Sequence, residues 1–269
     1  MKGRALFRAL AAALCVLLIM GFAGCETGSG NSGAGDGSKD TQTEDLAEES
    51  EAASTQPVDI FPDMSKADHE TIHTFFSNFS EVAMENFDSS DYTDAELIEF
   101  AVWHTYRNNE DLIIYDSAEG NLKIPESVIA AAIEKYFGLQ VSNQSVGYVD
   151  NPNYYNYGTY NYEYRDGYYY FTGAMGGALL WSQVTSLLDN GDGTYTASMD
   201  VYQGQSVPPN LYEDIDDWDL SGGLKVTYKG EPEGDVWEGP CYYYSATAVI
   251  SLHEYGGETT YKLISIRRE

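Results

Sequence analysis

Residues 151–171 read NPNYYNYGTYNYEYRDGYYYF, nine tyrosines in twenty-one positions. Such a stretch is a sticky low-complexity tract, a sugar-stacking surface or ordinary sheet, and the choice decides the fold. If Asp166-Gly167 is a two-residue hairpin turn, Arg165 pairs with Tyr168, Tyr164 with Tyr169, and Tyr162 with Phe171. Tyr160, Tyr162, Tyr164, Tyr169 and Phe171 then share one face. The opposite face carries Asn161, Glu163, Arg165, Tyr168, Tyr170 and Thr172, polar enough for solvent. A low-complexity tract would show no such sorting, so the pattern favours a folded hairpin whose aromatic face is either core under helices or an exposed platform for glycan or peptide.

Upstream of the hairpin the apolar period is helical. Ser65-Lys66-Ala67-Asp68 has capping-box spacing, and Ile72, Phe75, Phe76, Phe79, Ala83 and Phe87 follow at three- and four-residue intervals, predicting a helix from about 66 to 87. Thr93-Asp94-Ala95-Glu96 repeats the signature and opens a second helix to about Arg107. The short link predicts an antiparallel pair. A third helix starts near Pro125 and stops at Gly138. From Val141 onward the period becomes two, with strands expected at 194–202, 225–228, 242–253 and 260–266. Helices followed by hairpin-linked strands predict an α+β domain, three N-terminal helices packed on one curved antiparallel sheet. The element order resembles NTF2-like or cystatin-like folds.

The N-terminus reads as an address. Lys2, Arg4 and Arg8 precede an apolar run from Ala9 to Met20, too short to span hydrocarbon and laid out like an export signal. Phe22-Ala23-Gly24-Cys25 resembles the lipobox of bacterial lipoproteins, which implies cleavage after residue 24 and lipidation of Cys25. Residues 25–58 are rich in Gly, Ser, Thr and acids and lack aromatics, the composition of a disordered tether. The remaining 59–269 holds every Tyr and Trp and predicts a single domain. With Cys15 and Cys25 in the signal and lipobox, Cys241 alone remains, so no disulfide framework is expected. The formal charge is −29, and loss of the signal cations makes the mature chain more acidic. That balance excludes nucleic acid as a partner and leaves the membrane reached through the lipid.

His69-Glu70-Thr71-Ile72-His73 is an HExxH. On a helix the two histidines share a face and could hold zinc while Glu70 acts as base; it resembles the zincin metalloprotease signature in those three residues. The zincin order of sheet before helix is missing, and Phe76 and Phe79 stand where a metzincin continuation needs Gly and His. In the predicted helix pair His104 falls within about a turn of His73 and becomes the candidate third ligand. Asp217, Asp219 and Ser221 have the spacing of a calcium loop, but position twelve is Tyr228 rather than an acid, so a turn entering a strand is the better account. Cys241 has no local base and reads as a buried small hydrophobe.

Phe75-Phe76-Ser77-Asn78-Phe79-Ser80-Glu81, Leu97-Ile98-Glu99-Phe100-Ala101 with His104, Lys135-Tyr136-Phe137, and Asp166-Gly167-Tyr168-Tyr169-Tyr170-Phe171 together resemble a loose group of uncharacterised lipoproteins of Gram-positive bacteria. That resemblance implies a lipid-anchored location and an α+β surface domain, and no activity. The expectation is therefore a non-enzymatic, lipid-anchored extracytoplasmic domain without a cofactor. The alternative is a zinc-dependent hydrolase using Glu70 with His69, His73 and His104.

Overall fold

The structure, a computed structural model, describes residues 56–149, 160–173, 178–205, 210–220 and 222–269. The expected signal, lipidated Cys25 and most of the tether lie outside these residues, as do 151–159 and Ser221. The described chain is α+β, with three helices and two antiparallel sheets rather than the single sheet expected from sequence.

The elements in chain order are β1 (Val58–Asp59), α1 (Lys66–Ser80), β2 (Asn86–Asp88), α2 (Asp94–Asn108), β3 (Ile114–Asp116), β4 (Asn121–Pro125), α3 (Glu126–Phe137), β5 (Val146–Val149), β6 (Tyr160–Arg165), β7 (Tyr168–Phe171), β8 (Leu179–Asp189), β9 (Thr194–Gly204), β10 (Cys241–Tyr255) and β11 (Glu258–Arg268). The larger sheet has the order β1-β8-β9-β10-β11-β2 and the smaller one β3-β4-β7-β6-β5. A core cluster runs through both sheets and all three helices.

Both expected N-caps form. The Ser65 hydroxyl accepts from the Asp68 N–H, and Thr93 with Glu96 makes a reciprocal capping box, each satisfying amide donors that a helix start leaves bare. Gly138 closes α3 in the left-handed region at φ 65°. α1 stops about two turns before the expected end at 87, because Ala83 turns left-handed at φ 56° and the Met84 N–H returns to the Phe79 carbonyl at 3.0 Å. Phe87 then sits on a strand, β2, paired to β11 at Ile266. That strand takes up the link in which a simple antiparallel helix pair was expected, and the first two helices touch through Phe79 and Phe100, whose rings lie 5.1 Å apart. α2 packs more extensively on α3, with the Phe100 and Phe137 rings 4.9 Å apart at near-perpendicular planes, a favourable aromatic arrangement.

The tyrosine hairpin forms with the expected register. Arg165 pairs with Tyr168 and Tyr164 with Tyr169, across a turn whose two residues, Asp166 and Gly167, both have positive φ. That is the turn whose twist matches the strands. Tyr162, Tyr169 and Phe171 are buried, and Tyr164 is half-buried, in the main core. The aromatic face is therefore core, and the exposed-platform reading of it is corrected. The Tyr160 side chain lies outside the described residues.

One residue of the opposite face was also misjudged: Tyr170 is buried rather than solvent-facing. The Arg165 guanidinium lies 3.9 Å and the Lys123 ammonium 5.4 Å from its ring centre, so two long cationic side chains cover it. The expected strand at 225–228 is reduced to a single bridge between Thr227 and Cys241.

β8 went unpredicted and matters most for the site. Its register against β9 slips between Val184 and Ser186, and the bulge flips the alternation that a period-two reading requires. Leading into the slip, Ser182 and Val184 point their amides at α1. On the opposite face, Trp181 and Tyr202 are cross-strand partners and pack with Trp218 in a second, smaller cluster.

Candidate functional site

His69 and His73 share one face of α1, as the motif spacing requires. The group that joins them is Asp214, from the loop 210–217, and not His104. The His73 Nε2 lies 3.0 Å from Asp214 Oδ1, and the His69 Nδ1 lies 3.2 and 3.3 Å from the two carboxylate oxygens. Candidate ligand atoms of the three residues fall within 4.8 Å of one another.

The second nitrogen of each ring decides what this cluster can do. The backbone N–H of Val184 donates to His73 Nδ1 at 3.0 Å. A backbone amide is only ever a donor, so Nδ1 must offer its lone pair, and the proton of the neutral ring sits on Nε2. Nε2–H then donates to Asp214. A metal-bound imidazole has the reverse polarity, since its far nitrogen donates an N–H to an acceptor. Zinc at Nε2 would require His73 to become an anion or to leave Val184, so the ring as hydrogen-bonded here offers a metal no lone pair at Nε2. His69 donates from Nε2 to the Phe61 carbonyl at 2.8 Å, while its Nδ1 faces Asp214. An imidazolium satisfies both contacts. Its ring stacks on Phe61 with centroids 4.1 Å apart.

The rest of the α1 face explains why a histidine stands at 73. Ser77, one turn on, accepts from the Ser182 N–H at 3.0 Å, and the Ser182 hydroxyl donates to Ser80. Four helical residues advance about 6 Å and two strand residues about 6.6 Å. His73 and Ser77 thus meet successive outward amides of β8 in register. β1 covers β8 only at Leu188 and Asp189, so these two side chains complete an otherwise bare edge. Around them the loop is held to the same helix. Lys66 pairs with Glu213 and Asp217 at 3.5 and 3.4 Å, and the Tyr212 hydroxyl donates to Glu81 at 2.7 Å. Gln183 donates to the Glu213 carbonyl at 3.1 Å. The cluster is a clasp that draws the 210–217 loop, which covers Trp181 and Trp218, round the edge of β8.

The electrostatics agree with a clasp. Burial alone would raise the Asp214 carboxyl, but the hydrogen bonds from His73 and then His69 outweigh it and hold the group below its ordinary value. Burial pushes His73 below the usual imidazole value, against the pull of Asp214, and so favours the neutral ring that Val184 needs.

The remaining candidates do not converge. His104 is buried against Tyr136, stacks on Phe100 and takes the Asn108 amide on Nδ1 at 3.2 Å. It lines a 260 Å³ cavity with Lys135 between α2 and α3. Its expected convergence with His73 fails: the His73 ring nitrogens meet Val184 and Asp214, while His104 faces Tyr136 and Asn108. Glu70 is half-buried on α1 and takes no part in the Asp214 cluster. The Asp217 carboxylate is engaged by Lys66, and the Asp219 N–H donates to Asn210 Oδ1 at 2.9 Å. Ser221 lies outside the described residues, and between it and β10 only the Thr227 bridge forms. Cys241 is buried, as expected. No sequence signal marked Asp214, one acid among many in an acidic loop.

No protein-family model, curated protein or solved structure matches the chain. The reading of the site therefore rests on its geometry.

Two buried groups predict the pH dependence of stability. Burial, then Lys135, lowers His104 from 6.5 to about 4. Across that window the unfolded chain binds the extra proton, so stability rises with pH. The contribution is complete above 6.5 and lost by pH 4, a change of about 3 kcal/mol. Glu99 runs the other way. Burial, then Glu96, lifts its carboxyl from 4.5 to about 7, so the stability tied to its neutral form is complete below 4.5 and lost as pH rises through 7. The two slopes oppose each other between 4.5 and 6.5. Glu99→Gln is expected to make denaturation midpoints climb more steeply with pH there than in the wild type; equal slopes would contradict the assignment.

Proposed function

We propose that this chain is a lipid-anchored extracytoplasmic protein whose folded domain is non-catalytic and works by binding. The observation that carries the non-catalytic reading is the Val184 N–H donated to His73 Nδ1, which commits the HExxH histidine to closing a sheet edge. The anchoring rests on the basic and apolar N-terminus and the Phe22-Ala23-Gly24-Cys25 sequence, with residues 25–58 as tether. Among the described residues no helix is long and apolar enough to cross a membrane, consistent with attachment through lipid at Cys25.

Zinc hydrolysis with Glu70 as base is the competing reading. It draws on the 4.8 Å convergence of His69, His73 and Asp214, and it requires His73 to release Val184. Elemental analysis and melting of the purified protein separate the two. The proposal expects metal-free protein whose melting temperature is unmoved by zinc, calcium or chelator. Stoichiometric zinc with a melting shift on chelation would overturn it, since a ligand bound only by the folded state must stabilise that state. Cys25→Ala is expected to move the protein from the membrane to the soluble fraction; unchanged membrane retention would contradict anchoring at Cys25.

A further inference from the structure

Trp237 is 71% exposed, whereas Trp103, Trp181 and Trp218 are 2%, 0% and 8% exposed. Its position is enforced by the backbone. The turn from Asp235 to Glu238 is closed by the Glu238 N–H on the Asp235 carbonyl at 2.8 Å, and the Trp237 N–H donates to Asp235 Oδ1 at 3.0 Å. The Lys225 N–H reaches the Glu238 carbonyl at 3.1 Å and the Gln205 N–H the Val236 carbonyl at 3.3 Å. Gly239 has φ 153° and lies so close to the Lys225 backbone that any Cβ would collide with it; a Cβ at Gly234 would stand 2.8 Å from Cys241 Sγ. A turn pinned on both flanks holds a large aromatic ring in solvent, a costly arrangement for a residue that folding would otherwise bury.

Acids outnumber cations around the ring: Glu231, Glu233, Asp235 and Glu238 are all exposed, beside Lys225 and Lys229. Of the two lysines, Lys229 is turned away to Ser245 and Asp200, at 2.6 and 3.5 Å, and Lys225 meets the turn through its backbone. Asp235 and Glu238 belong to the turn that carries Trp237, and Glu233 lies two residues before it. We propose that Trp237 and these carboxylates form a docking surface for a basic, Arg- or Lys-rich segment of a partner protein. An indole face attracts guanidinium and ammonium groups, and the flanking carboxylates pair with the same cations. Tryptophan is also the residue type most often found as the anchor of a protein interface. An anionic bilayer or a nucleic acid would be repelled by this rim.

The test measures the anisotropy of dye-labelled octa-arginine titrated with the purified full-length protein. Labelled octa-glutamate, a labelled neutral oligosaccharide and phosphatidylglycerol vesicles are titrated separately, because the anionic probes would themselves bind octa-arginine. Saturable octa-arginine binding is expected, weakened about tenfold by Trp237→Leu and further by Glu233→Gln with Glu238→Gln, with no binding of the other three probes. Trp237→Leu should melt with the wild type, because the ring faces solvent. Equal octa-arginine affinity in Trp237→Leu would reduce the effect to the general acidity of the chain and overturn the proposal. Binding of the oligosaccharide or the vesicles that Trp237→Leu abolishes would overturn it in favour of those ligands. The turn lies apart from the histidine cluster in its contacts, so a zinc result there leaves this inference standing.

Discussion

Tyr169→Ala is expected to lower the stability of the domain by about 3 to 5 kcal/mol, the range for deleting a large buried aromatic side chain. Tyr169 is fully buried, its ring lies 5.1 Å from that of Tyr164, and its hydroxyl donates to Asn143 Oδ1 at 2.9 Å. Truncation removes the ring from the core and leaves the Asn143 carbonyl without that donor. At about 2 to 4 °C per kcal/mol for a chain of this size, the melting temperature should fall by roughly 6 to 20 °C. Tyr168→Ala, on the opposite face of the same strand, supplies the comparison. Its half-buried ring is touched by the Lys123 ammonium at 5.1 Å, and about 1 kcal/mol is expected. Equal losses at both positions, or a Tyr169→Ala variant as stable as the wild type, would contradict the assignment of the aromatic face to the core.

His73→Ala is expected to cost about 3 kcal/mol. The side chain is 1% exposed, so its removal leaves the Val184 amide buried without an acceptor, at roughly 1 to 3 kcal/mol, and adds a cavity. It also frees Asp214 from one of its two partners, loosening the 210–217 loop. Hydrogen exchange at the Val184 amide should accelerate in step with the stability loss. Glu70→Gln, inside the same motif, should change stability by no more than about 0.5 kcal/mol, because the half-buried side chain takes no part in the Asp214 cluster and glutamine keeps its size. The metal reading orders these variants differently: in zinc-loaded protein His73→Ala would abolish metal retention, and Glu70→Gln would abolish activity. Asp214→Asn keeps an oxygen acceptor for His73 and should cost less than His73→Ala.

The features legible in the sequence were those set by residues a few positions apart. The Asp166-Gly167 turn, the Ser65 and Thr93 caps and the Gly138 stop each depend on one local backbone conformation and the side chains that permit it. The register of the hairpin followed from its turn alone. What escaped was set at long range. Ala83 ends α1 in a left-handed conformation that alanine rarely adopts and that no composition rule marks. β8 hid behind its bulge, because a slip between Val184 and Ser186 makes the inward set change parity. Tyr170 looked exposed until Arg165 and Lys123 were found lying across it.

The site shows the same division. The spacing of His69 and His73 correctly placed both rings on one helical face. Their chemistry depended on Val184 and Asp214, 111 and 141 residues from His73. A motif specifies which side chains are adjacent, and the partner of the far ring nitrogen specifies whether they are ligands. Here the partner is a donor, which a ligand histidine cannot have.

The most direct test of this account is the protonation pattern of the His73 ring, read from its two nitrogen chemical shifts at pH 7.5 with and without one equivalent of zinc. The account predicts the Nε2–H tautomer, with an unprotonated Nδ1 hydrogen-bonded to the Val184 amide, and no change on adding zinc. An Nδ1–H ring whose Nε2 shifts on zinc binding would contradict it.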